Sequence, residues 1–525
     1  MVEKKAKIVI IGAGMAGLTA ANKLFSAPGT EDLFDISVVE GGGRIGGRIN
    51  TVEFMGQKIE MGATWIHGIC GSPIHEIADQ INALHSDQPW EFMNGWSGHS
   101  TTVAEGGVEI SPAIIDPVSS LFKNLIDFSQ GKIAGDSDFL RQAKSDKLSI
   151  GAYLRRGLDS YLISEKGEIE FNECKGWNQK SLEEAIFAMY ENIQRTYTSA
   201  GELSTVDLVA ESEYQVFPGD EIAIPKGYST VIQSLASVLP PGLVQLGKNV
   251  TKIEWHPEPD AQDVSTPVRI HFSDGSDIYA DHVIVTVSLG VLKAGTQQES
   301  GMFDPPLPSF KTEAISRLGF GVVNKLFLQL APTTNDGEEL KSTNKSPRLN
   351  FVFHRPDSEF RRKKIPWWIR KTSFLRPIYQ NSSILLSWFA GEEALHMEKL
   401  NDEEVINGVS TTISNFQIPN SESDCNDFEA NSKGSVKFSK VLKSQWGSDP
   451  LFQGSYSYIA VGSSGEDLDA MAEPLPRTEE SPKAPLLQIL FAGEATHRSH
   501  YSTTHGAYFS GLREANRLLH HYNCI

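Results

Sequence analysis

The sequence predicts an α/β fold of two domains, and three observations predict it. An apolar run at 6–11 (AKIVII) is followed by closely spaced glycines and a helical pattern, as in a βαβ unit. A second apolar run, FDISVVE at 34–40, supplies the next buried parallel strand. A buried-strand pattern followed by a helix returns at 486–496, which indicates that the fold closes when the two ends of the sequence meet. The 525 residues, 40% of them hydrophobic, suffice for two domains.

The other elements follow from hydrophobic periodicity and turn residues. Residues 12–25 and 505–522 have helical spacing, and 112–216 is mostly helical in pattern, with 181–197 the clearest amphipathic segment. Three strand-like runs should form a smaller accessory sheet, with the last run re-entering the main sheet: 247–256, 268–276 and 278–288. Three polar stretches rich in helix breakers are predicted surface insertions: 331–347, 420–435 and 474–485.

The glycines of IIGAGMAG have the spacing of a phosphate-binding turn. Gly12 permits a tight turn, Gly14 lets a pyrophosphate approach backbone N–H groups, and Gly17 allows close packing of strand and helix. The first turn of that helix, which includes Ala16, directs its positive end at the phosphate. Glu40 ends the second strand, where its carboxylate can accept hydrogen bonds from a ribose diol. A glycine turn without a ligand would look similar, but this context favours a dinucleotide site.

The run GGGRIGGR after Glu40 indicates which dinucleotide is bound. Arg44 and Arg48 flank the glycine pair Gly46 and Gly47, so backbone amides and a guanidinium can meet a second portion of an extended cofactor. This arrangement favours FAD. The alternative is a glycine-rich surface turn with two solvated arginines.

Charge and cysteine content limit the classes of partner. The 47 Lys and Arg residues against 66 Asp and Glu residues give a net charge of −19, which disfavours nucleic acid or an anionic membrane and suits a cationic small substrate. A soluble acidic protein without such a substrate would show the same charge. The four cysteines are scattered, and neither a disulfide framework nor a metal site is indicated. We expect a cytoplasmic protein, either a monomer or a weak dimer.

Lys325 interrupts the apolar, strand-like run GVVNKLFLQL. Buried lysines are costly and usually perturbed, so Lys325 is a candidate functional residue. The alternative is a lysine that reaches solvent from an edge strand.

Two carboxylates could anchor a cationic substrate. Glu211 and Glu213 are two residues apart, so an extended segment would direct both to one face, where they would bind distal ammonium groups. A solvated charged strand is the alternative.

Separated motifs, in matching order, resemble those of the flavin-containing amine oxidase family. One is the acidic residue followed by RxGGR, which is the family's second fingerprint. The others are MGATWIHG (61–68), GFGVVNKLF (319–327), LSWFAGEEAL (386–395), the run from 446 to 475 and FAGEATHRSHYSTTHGAYFSGLREA (491–515). They look most like polyamine oxidases of the spermine oxidase and plant back-conversion branch.

The resemblance implies a Rossmann-like FAD-binding domain (1–88, 219–300 and 440–525). It also implies a substrate domain with a mixed sheet flanked by helices (89–218 and 301–439). FAD should be noncovalent, because RSHYSTTHG lacks the cysteine that links the flavin in monoamine oxidases. Beyond the two glycine motifs, the residues expected to contact FAD are Gly41, Gly62, Ala63, Thr64, Trp65, Val250, Trp446, Gly493, Glu494, Thr503 and Thr504.

The resemblance also assigns roles around the flavin. Lys325 would hold a water against flavin N5 and assist reoxidation, and His67 would orient the substrate and control the local pKa. Trp65 would line the same channel, although plain core packing is its alternative. Tyr456 would form an aromatic wall for an aliphatic chain, and Trp446 would lie against the flavin ring.

Thr503 departs from the pattern, because extracellular plant polyamine oxidases have an aromatic residue at the matching position. Half of the usual aromatic sandwich is therefore absent, which leaves open the C–N bond that is cleaved.

We therefore predict an oxidase of tetraamines such as spermine or thermospermine, with polyamine and oxygen as its substrates. The products would be a shorter polyamine, an aminoaldehyde and hydrogen peroxide. Alternatives are a monoamine or acetylpolyamine oxidase, an L-amino-acid oxidase, a lysine demethylase and a non-catalytic FAD-binding protein.

Overall fold

The computed structural model describes residues 5–85, 100–133, 137–164, 175–256, 267–297, 301–332, 348–379, 382–417, 436–477 and 486–524. The chain divides into two compact units. The first unit comprises Met1–Pro89, Glu213–Phe320 and Asp449–Ile525, and the second comprises Trp90–Ser212 and Gly321–Ser448. Within the described ranges, no helix has both the length and the apolar character that a membrane crossing needs.

The helices, in chain order, are α1 (Met15–Ser26), α2 (Pro73–Gln80), α3 (Pro112–Ser129), α4 (Ser137–Ser145), α5 (Ile150–Ile163), α6 (Gln179–Thr198), α7 (Ser229–Ser237), α8 (Leu289–Gly295), α9 (Ser309–Arg317), α10 (Glu392–Lys399), α11 (Asp402–Asn415), α12 (Gly465–Ala472) and α13 (Thr504–His521). The strands are β1 (Ala6–Ile11), β2 (Phe34–Glu40), β3 (Thr51–Phe54), β4 (Gln57–Glu60), β5 (Trp65–Ile66), β6 (Thr101–Ala104), β7 (Val108–Glu109), β8 (Ile222–Ala223), β9 (Val244–Leu246), β10 (Val250–Trp255), β11 (Val268–Phe272), β12 (Asp277–Ala280), β13 (His282–Val285), β14 (Phe303–Asp304), β15 (Gly319–Gly321), β16 (Val323–Leu330), β17 (Leu349–Val352), β18 (Phe374–Pro377), β19 (Ile384–Ala390), β20 (Phe438–Lys443), β21 (Tyr456–Tyr458) and β22 (Ile489–Phe491).

The main sheet of the first unit consists of parallel strands in the order β22-β13-β1-β2-β9. Interior parallel strands are covered on both faces, which explains why β1 is apolar along most of its length, with Ile8 and Ile10 fully buried. Leu18 of α1 and Leu518 of α13 belong to the same hydrophobic core. The predicted meeting of the two ends of the sequence is confirmed, because β22 and α13 complete a sheet and a core that β1 and α1 begin.

The accessory sheet of the first unit has the order β12-β11-β10-β14. The predicted runs 247–256 and 268–276 correspond to β10 and β11, whereas 278–288 is not one strand. It is divided at Asp281, whose carboxylate accepts a hydrogen bond from the Lys7 N–H at 2.8 Å. The chain therefore leaves the accessory sheet with β12 and enters the main sheet with β13, as predicted for the end of this run.

The second unit contains a mixed sheet in the order β20-β16-β19-β18-β17-β6-β7. β17 pairs in parallel with β6, and the neighbouring pairs are antiparallel. Leu326 and Leu328 of β16 pack with Val405 of α11 in its core. The predicted helical stretch is confirmed by α3 to α6, and a capping box at Asn178 starts α6. Most of the predicted surface insertions lie outside the described residues, at 333–347, 420–435 and 478–485.

Candidate functional site

The carboxyl ends of the parallel strands bring predicted cofactor residues to one edge of the main sheet. β1 ends at Ile11 before the glycine turn, and β2 ends at Glu40. β22 ends at Phe491, just before Gly493 and Glu494. Ligands of open α/β sheets bind outside this edge, where the strand order reverses. The strand order reverses at β1, so this edge is the candidate cofactor site of the first unit.

The glycine turn after β1 and the start of α1 leave no room for a side chain at Gly12 or Gly17. Gly12 has a φ of +105°, and a Cβ atom there would lie 2.4 Å from Thr286 Oγ1. A Cβ atom at Gly17 would lie 1.9 Å from the Gly12 carbonyl oxygen, so only glycine allows this approach of α1 to the turn. Gly14 is the N-cap of α1 and Ala16 lies in its first turn, which contains no acidic residue. These features suit a phosphate at the helix N-terminus.

Glu40 is buried and connects the two glycine-rich loops. Its Oε2 accepts a hydrogen bond from the Ala13 N–H at 2.8 Å, and its Oε1 accepts one from the Gly42 N–H at 2.7 Å. A carboxylate oxygen has further acceptor capacity after one such bond. The carboxylate is therefore held in one orientation and can still bind ribose hydroxyl groups.

The second glycine-rich loop lies against the first. The Gly46 N–H donates to the Ala13 carbonyl at 2.8 Å. The Arg44 guanidinium points back into its own loop and donates to the carbonyls of Gly47 at 2.7 Å and Ile49 at 3.1 Å. Burial lowers the pKa of Arg44, against the opposing effect of nearby carboxylates. The alternative of a surface turn with two solvated arginines is therefore wrong for Arg44, which stabilises the loop.

Arg48 and Glu494 join the second loop to the C-terminal segment. Arg48 Nη1 lies 2.9 Å from Glu494 Oε1 and also donates to the Ser455 carbonyl at 2.8 Å. Glu494 Oε2 accepts hydrogen bonds from the Ser457 hydroxyl at 2.5 Å and the Ser502 N–H at 2.8 Å. Three distant segments of the chain therefore meet at one buried carboxylate.

Residues 62–67 follow β4 and contact the second loop. The Ala63 N–H donates to the Arg48 carbonyl at 3.1 Å, and Thr64 donates to the Gly62 carbonyl at 3.3 Å. Trp65 begins β5, which pairs with β8. His67 Nδ1 lies 2.8 Å from Glu221 Oε1, and the histidine side chain is 30% exposed. The proposed position of His67 near the flavin therefore remains a prediction.

The two threonines of YSTTHG use their hydroxyl groups within the first unit. Thr503 donates to the His500 carbonyl at 2.6 Å and accepts from the Gly506 N–H at 3.0 Å, which caps α13. Thr504 Oγ1 lies 2.5 Å from the Tyr228 hydroxyl. A contact of either threonine with a ligand would need other atoms or a second lone pair, and their proposed roles remain predictions.

Three other predicted residues also lie in the first unit. Tyr456 is partly buried in β21, and Val250 begins β10. Gly41 is closely packed, because a Cβ atom there would lie 2.7 Å from Leu451 Cδ2.

Sequence reasoning missed a cluster of aromatic rings around Phe217. His500 stacks on Phe217 at 5.3 Å between ring centroids, and His505 lies 4.8 Å from the same ring. Burial, together with His67 and His500, lowers the pKa of His505 to about 3, and burial lowers that of His497 to about 4. The closely spaced histidines of HRSHYSTTH were the available signal.

Lys325 is buried in the second unit, on a strand with neighbours on both sides. It is 5% exposed, and β16 lies between β19 and β20. Its Nζ lies 4.9 Å from the ring centroid of Trp388, its cross-strand partner. The alternative of an edge-strand lysine reaching solvent is therefore wrong. Trp446, in the same unit, is also buried.

The predicted pairing of Glu211 and Glu213 is wrong in its geometry. Both residues lie on a 3₁₀ turn, Ala210–Glu213, and residues two apart on such a turn do not share a face. Glu211 is buried in the second unit. Glu213, in the first unit, forms an ion pair with Arg498 at 2.6 Å. Their proposed role in substrate binding therefore concerns two separate carboxylates.

The residues of the first unit fit an extended dinucleotide. The glycine turn can receive a pyrophosphate, Glu40 can bind a ribose, and the second loop with the Arg48–Glu494 pair extends the same edge. Within the described part of the chain, no group of at least three His, Cys, Asp or Glu side chains could hold a metal ion.

Comparison with known proteins gives matches over nearly the whole chain. The family model described as flavin containing amine oxidoreductase matches residues 15–519. The chain is 55% identical to probable polyamine oxidase 5 of Arabidopsis thaliana, over 99% of both chains. It is 44% identical to polyamine oxidase 1 of Oryza sativa subsp. japonica, over 99% of this chain and 98% of that one. It is 33% identical to a peroxisomal N(1)-acetyl-spermine/spermidine oxidase of Bos taurus, over 98% of this chain and 94% of that one.

Proposed function

The chain belongs to the flavin-containing amine oxidoreductase family, and from this premise we propose that its substrates are tetraamines of the spermine and thermospermine type. It is an FAD-dependent oxidoreductase that acts on CH–NH groups. The proposal depends chiefly on the 55% identity, over 99% of both chains, to a relative named as a probable polyamine oxidase. The net charge of −19 supports a cationic substrate.

The proposed reaction oxidises a carbon next to a secondary amine nitrogen. When bound, FAD accepts a hydride equivalent from this carbon and returns the electrons to oxygen, which leaves as hydrogen peroxide. Water then hydrolyses the oxidised C–N bond to an aminoaldehyde and a shorter polyamine.

The first unit would hold the cofactor without a covalent bond. Gly12, Gly14 and the N-terminus of α1 would bind the pyrophosphate, and Glu40 would bind a ribose. The second glycine loop would meet the flavin portion, supported by the Arg48–Glu494 ion pair. This partly buried ion pair would keep the loop fixed while substrate and product exchange.

Several side chains would act on the substrate. Lys325 would hold a water and move a proton during reoxidation. His67 would accept a hydrogen bond from the amine, with its ring oriented by Glu221. Trp65, Tyr456 and Trp446 would supply aromatic surfaces for an aliphatic polycation and for the flavin ring. Glu211 and Glu213 would each attract one distal ammonium group.

An acetylated polyamine is the second candidate substrate. It is supported by the 33% identity to an oxidase named for N(1)-acetyl-spermine and spermidine. An acetyl group removes one positive charge, so a site with two separate carboxylates favours the free tetraamine.

The test is product analysis by mass spectrometry after incubation of the purified holoenzyme with each polyamine in turn. Spermine or thermospermine should yield a shorter polyamine, an aminoaldehyde and hydrogen peroxide. Faster turnover of the acetylated amine would favour the second candidate. A yellow enzyme that oxidises none of these amines would contradict the proposal.

A further inference from the structure

A buried polar network in the second unit connects the strand of Lys325 to the segment that contains Trp446. Its members are Asn324, Glu398 and Ser444, which are 0%, 6% and 3% exposed. They come from β16, from the last turn of α10 and from the residue after β20. Buried polar side chains are costly unless they are hydrogen-bonded, so the partners of this network show what it holds.

Asn324 is the centre of the network. Its Nδ2 donates to Glu398 Oε1 at 2.6 Å. Its Oδ1 accepts from the Ser444 hydroxyl at 3.0 Å and from the Trp446 N–H at 3.1 Å. The amide therefore contacts the backbone of Trp446 directly and the carboxylate of α10 on its other side.

Glu398 binds the turn that follows Trp446. Its Oε1 accepts from the Gly447 N–H and its Oε2 from the Ser448 N–H, both at 2.8 Å. With Asn324, three N–H donors surround the carboxylate. Charge-assisted bonds of this kind are shorter and stronger than neutral ones, and they fix the path of a backbone that has no regular structure.

Ser444 completes the connection to Lys325. The Lys325 N–H donates to Ser444 Oγ at 2.8 Å, and the Ser444 N–H donates to the Lys325 carbonyl at 3.0 Å. The backbone at Lys325 is therefore tied to Ser444, and through Asn324 to Trp446. The backbone of Lys325 can shift relative to that of Trp446 only if this network rearranges.

We infer that Asn324, Glu398 and Ser444 are positioning residues, which fix the backbones from which the Lys325 and Trp446 side chains extend. The inference rests on the proposed function, in which Lys325 assists flavin reoxidation and Trp446 lies against the flavin. Networks whose members are all satisfied rigidify the groups that they connect. A misplacement on the order of 1 Å at a reacting group costs up to about a hundred-fold in rate.

The principal test variant is Glu398→Gln, which keeps the size of the side chain but removes the charge and directs an amide NH₂ group at one of the N–H donors. The matched control is Glu393→Gln. Glu393 is a buried carboxylate of the same helix, but it pairs with Arg195 at 2.7 Å and has no bond to the network. Both variants lose a buried charge, and only the first should disturb Trp446 and Lys325.

The measurements are stopped-flow rates of flavin reduction by spermine without oxygen and of reoxidation by oxygen, with visible circular dichroism of the bound flavin. Glu398→Gln should slow reoxidation at least about ten-fold and change the flavin dichroism. Glu393→Gln should lower the melting temperature and leave both signals unchanged. The double variant Glu398→Gln/Lys325→Met should reoxidise no more slowly than Lys325→Met alone, because both changes would impair the same step.

Failure of the inference is distinct from failure of the proposed function. If Lys325→Met itself leaves reoxidation unchanged, the proposed role of Lys325 is wrong. If Lys325→Met slows reoxidation while Glu398→Gln changes neither rate nor dichroism, the positioning role is overturned. If Glu398→Gln does not fold, Ser444→Ala, which removes only the hydroxyl bridge, is judged by the same two signals.

Discussion

Replacement of Lys325 should affect the reaction much more than the stability of the fold. Lys325→Met keeps the aliphatic length that packs beside Trp388 but removes the ammonium. Loss of one proton-transfer group costs on the order of a hundred-fold or more in the affected step. We expect reoxidation of the reduced flavin by oxygen to slow by this amount, with little change in the melting temperature, as measured by stopped-flow absorbance and thermal unfolding.

The control for this prediction is Lys371→Met. Lys371 is a lysine of the same unit whose side chain is 40% exposed and pairs with Glu202. Its replacement should leave reoxidation unchanged. Equal rates in wild type and Lys325→Met would remove Lys325 from the reaction.

His505 makes stability depend on pH. Its folded-state pKa of about 3 lies below the ordinary value of 6.5, so the folded protein keeps the neutral ring. Below pH 6.5 the unfolded chain binds a proton that the folded chain does not. The contribution of His505 to the free energy of unfolding is therefore complete above pH 6.5. It falls as the pH drops toward 3, by up to about 1.4 kcal/mol per pH unit.

Urea unfolding at pH 7 and pH 5 tests this dependence. His505→Gln should reduce the loss of stability between the two pH values, whereas His85→Gln, at an exposed position, should not. An unchanged slope in His505→Gln would show that other groups carry the dependence.

At single positions, sequence reasoning succeeded where the backbone itself demands a residue type. Gly12 and Gly17 are required by the close approach of α1 to the turn, which the local spacing predicts. Glu211 and Glu213 were expected on an extended segment, but the Asp207 side chain accepts hydrogen bonds from the N–H groups of Val209 and Ala210. An aspartate that caps its own downstream backbone turns the chain, and this local signal was missed.

At the scale of elements, the packing of α1 on α13 is a sensitive point. A Cβ atom at Gly511 would lie 2.3 Å from the Ala16 carbonyl oxygen, so the two helices cannot stay at their present distance in Gly511→Ala. Overpacking of this kind costs about 1–3 kcal/mol. Because α1 begins at the glycine turn, the variant should also release FAD more readily. Thermal unfolding and flavin fluorescence after dilution measure the two effects.

Gly301→Ala is the control for the helix pair. It is an exposed glycine, and among the described residues its added Cβ would meet only the Phe303 carbonyl oxygen, at 3.7 Å. Its melting temperature and FAD release should match those of the wild type. A Gly511→Ala protein with unchanged melting temperature would show that the helices move apart at no cost.

Helices and strands could be predicted where the hydrophobic residues recur with a regular period. β1, α1, β2 and α6 follow from sequence because one face or both faces are buried along their whole length. The division of 278–288 at Asp281 depends on a hydrogen bond to Lys7, which is distant in sequence. No local pattern contains that partner, so the break between β12 and β13 could not be predicted.

At the scale of the whole molecule, the acidic charge should affect the capture of a polycation. A net charge of −19 attracts a tetraamine over a distance that salt shortens, from about 30 Å at 0.01 M to about 10 Å at 0.1 M ionic strength. We expect kcat/KM for spermine to fall as salt rises between these limits, and initial rates of peroxide release measure it. An amine with one positive charge should show a weaker dependence.

A related prediction concerns the carboxylates of Glu211 and Glu213. Glu211→Gln and Glu213→Gln should each raise KM for spermine, chiefly at low salt. An unaltered KM in both variants would show that the ammonium groups bind elsewhere.

The order β22-β13-β1-β2-β9 also has a consequence for synthesis on the ribosome. A nascent chain can assemble β9, β2, β1 and β13, but the free edge of β13 stays open until residues 489–491 emerge. The ion pair of Arg48 likewise cannot form until Glu494 has been synthesised. The proposed FAD site can therefore be completed only after residues 489–494 have been synthesised. Chains terminated before these residues should lack bound FAD and be prone to aggregate.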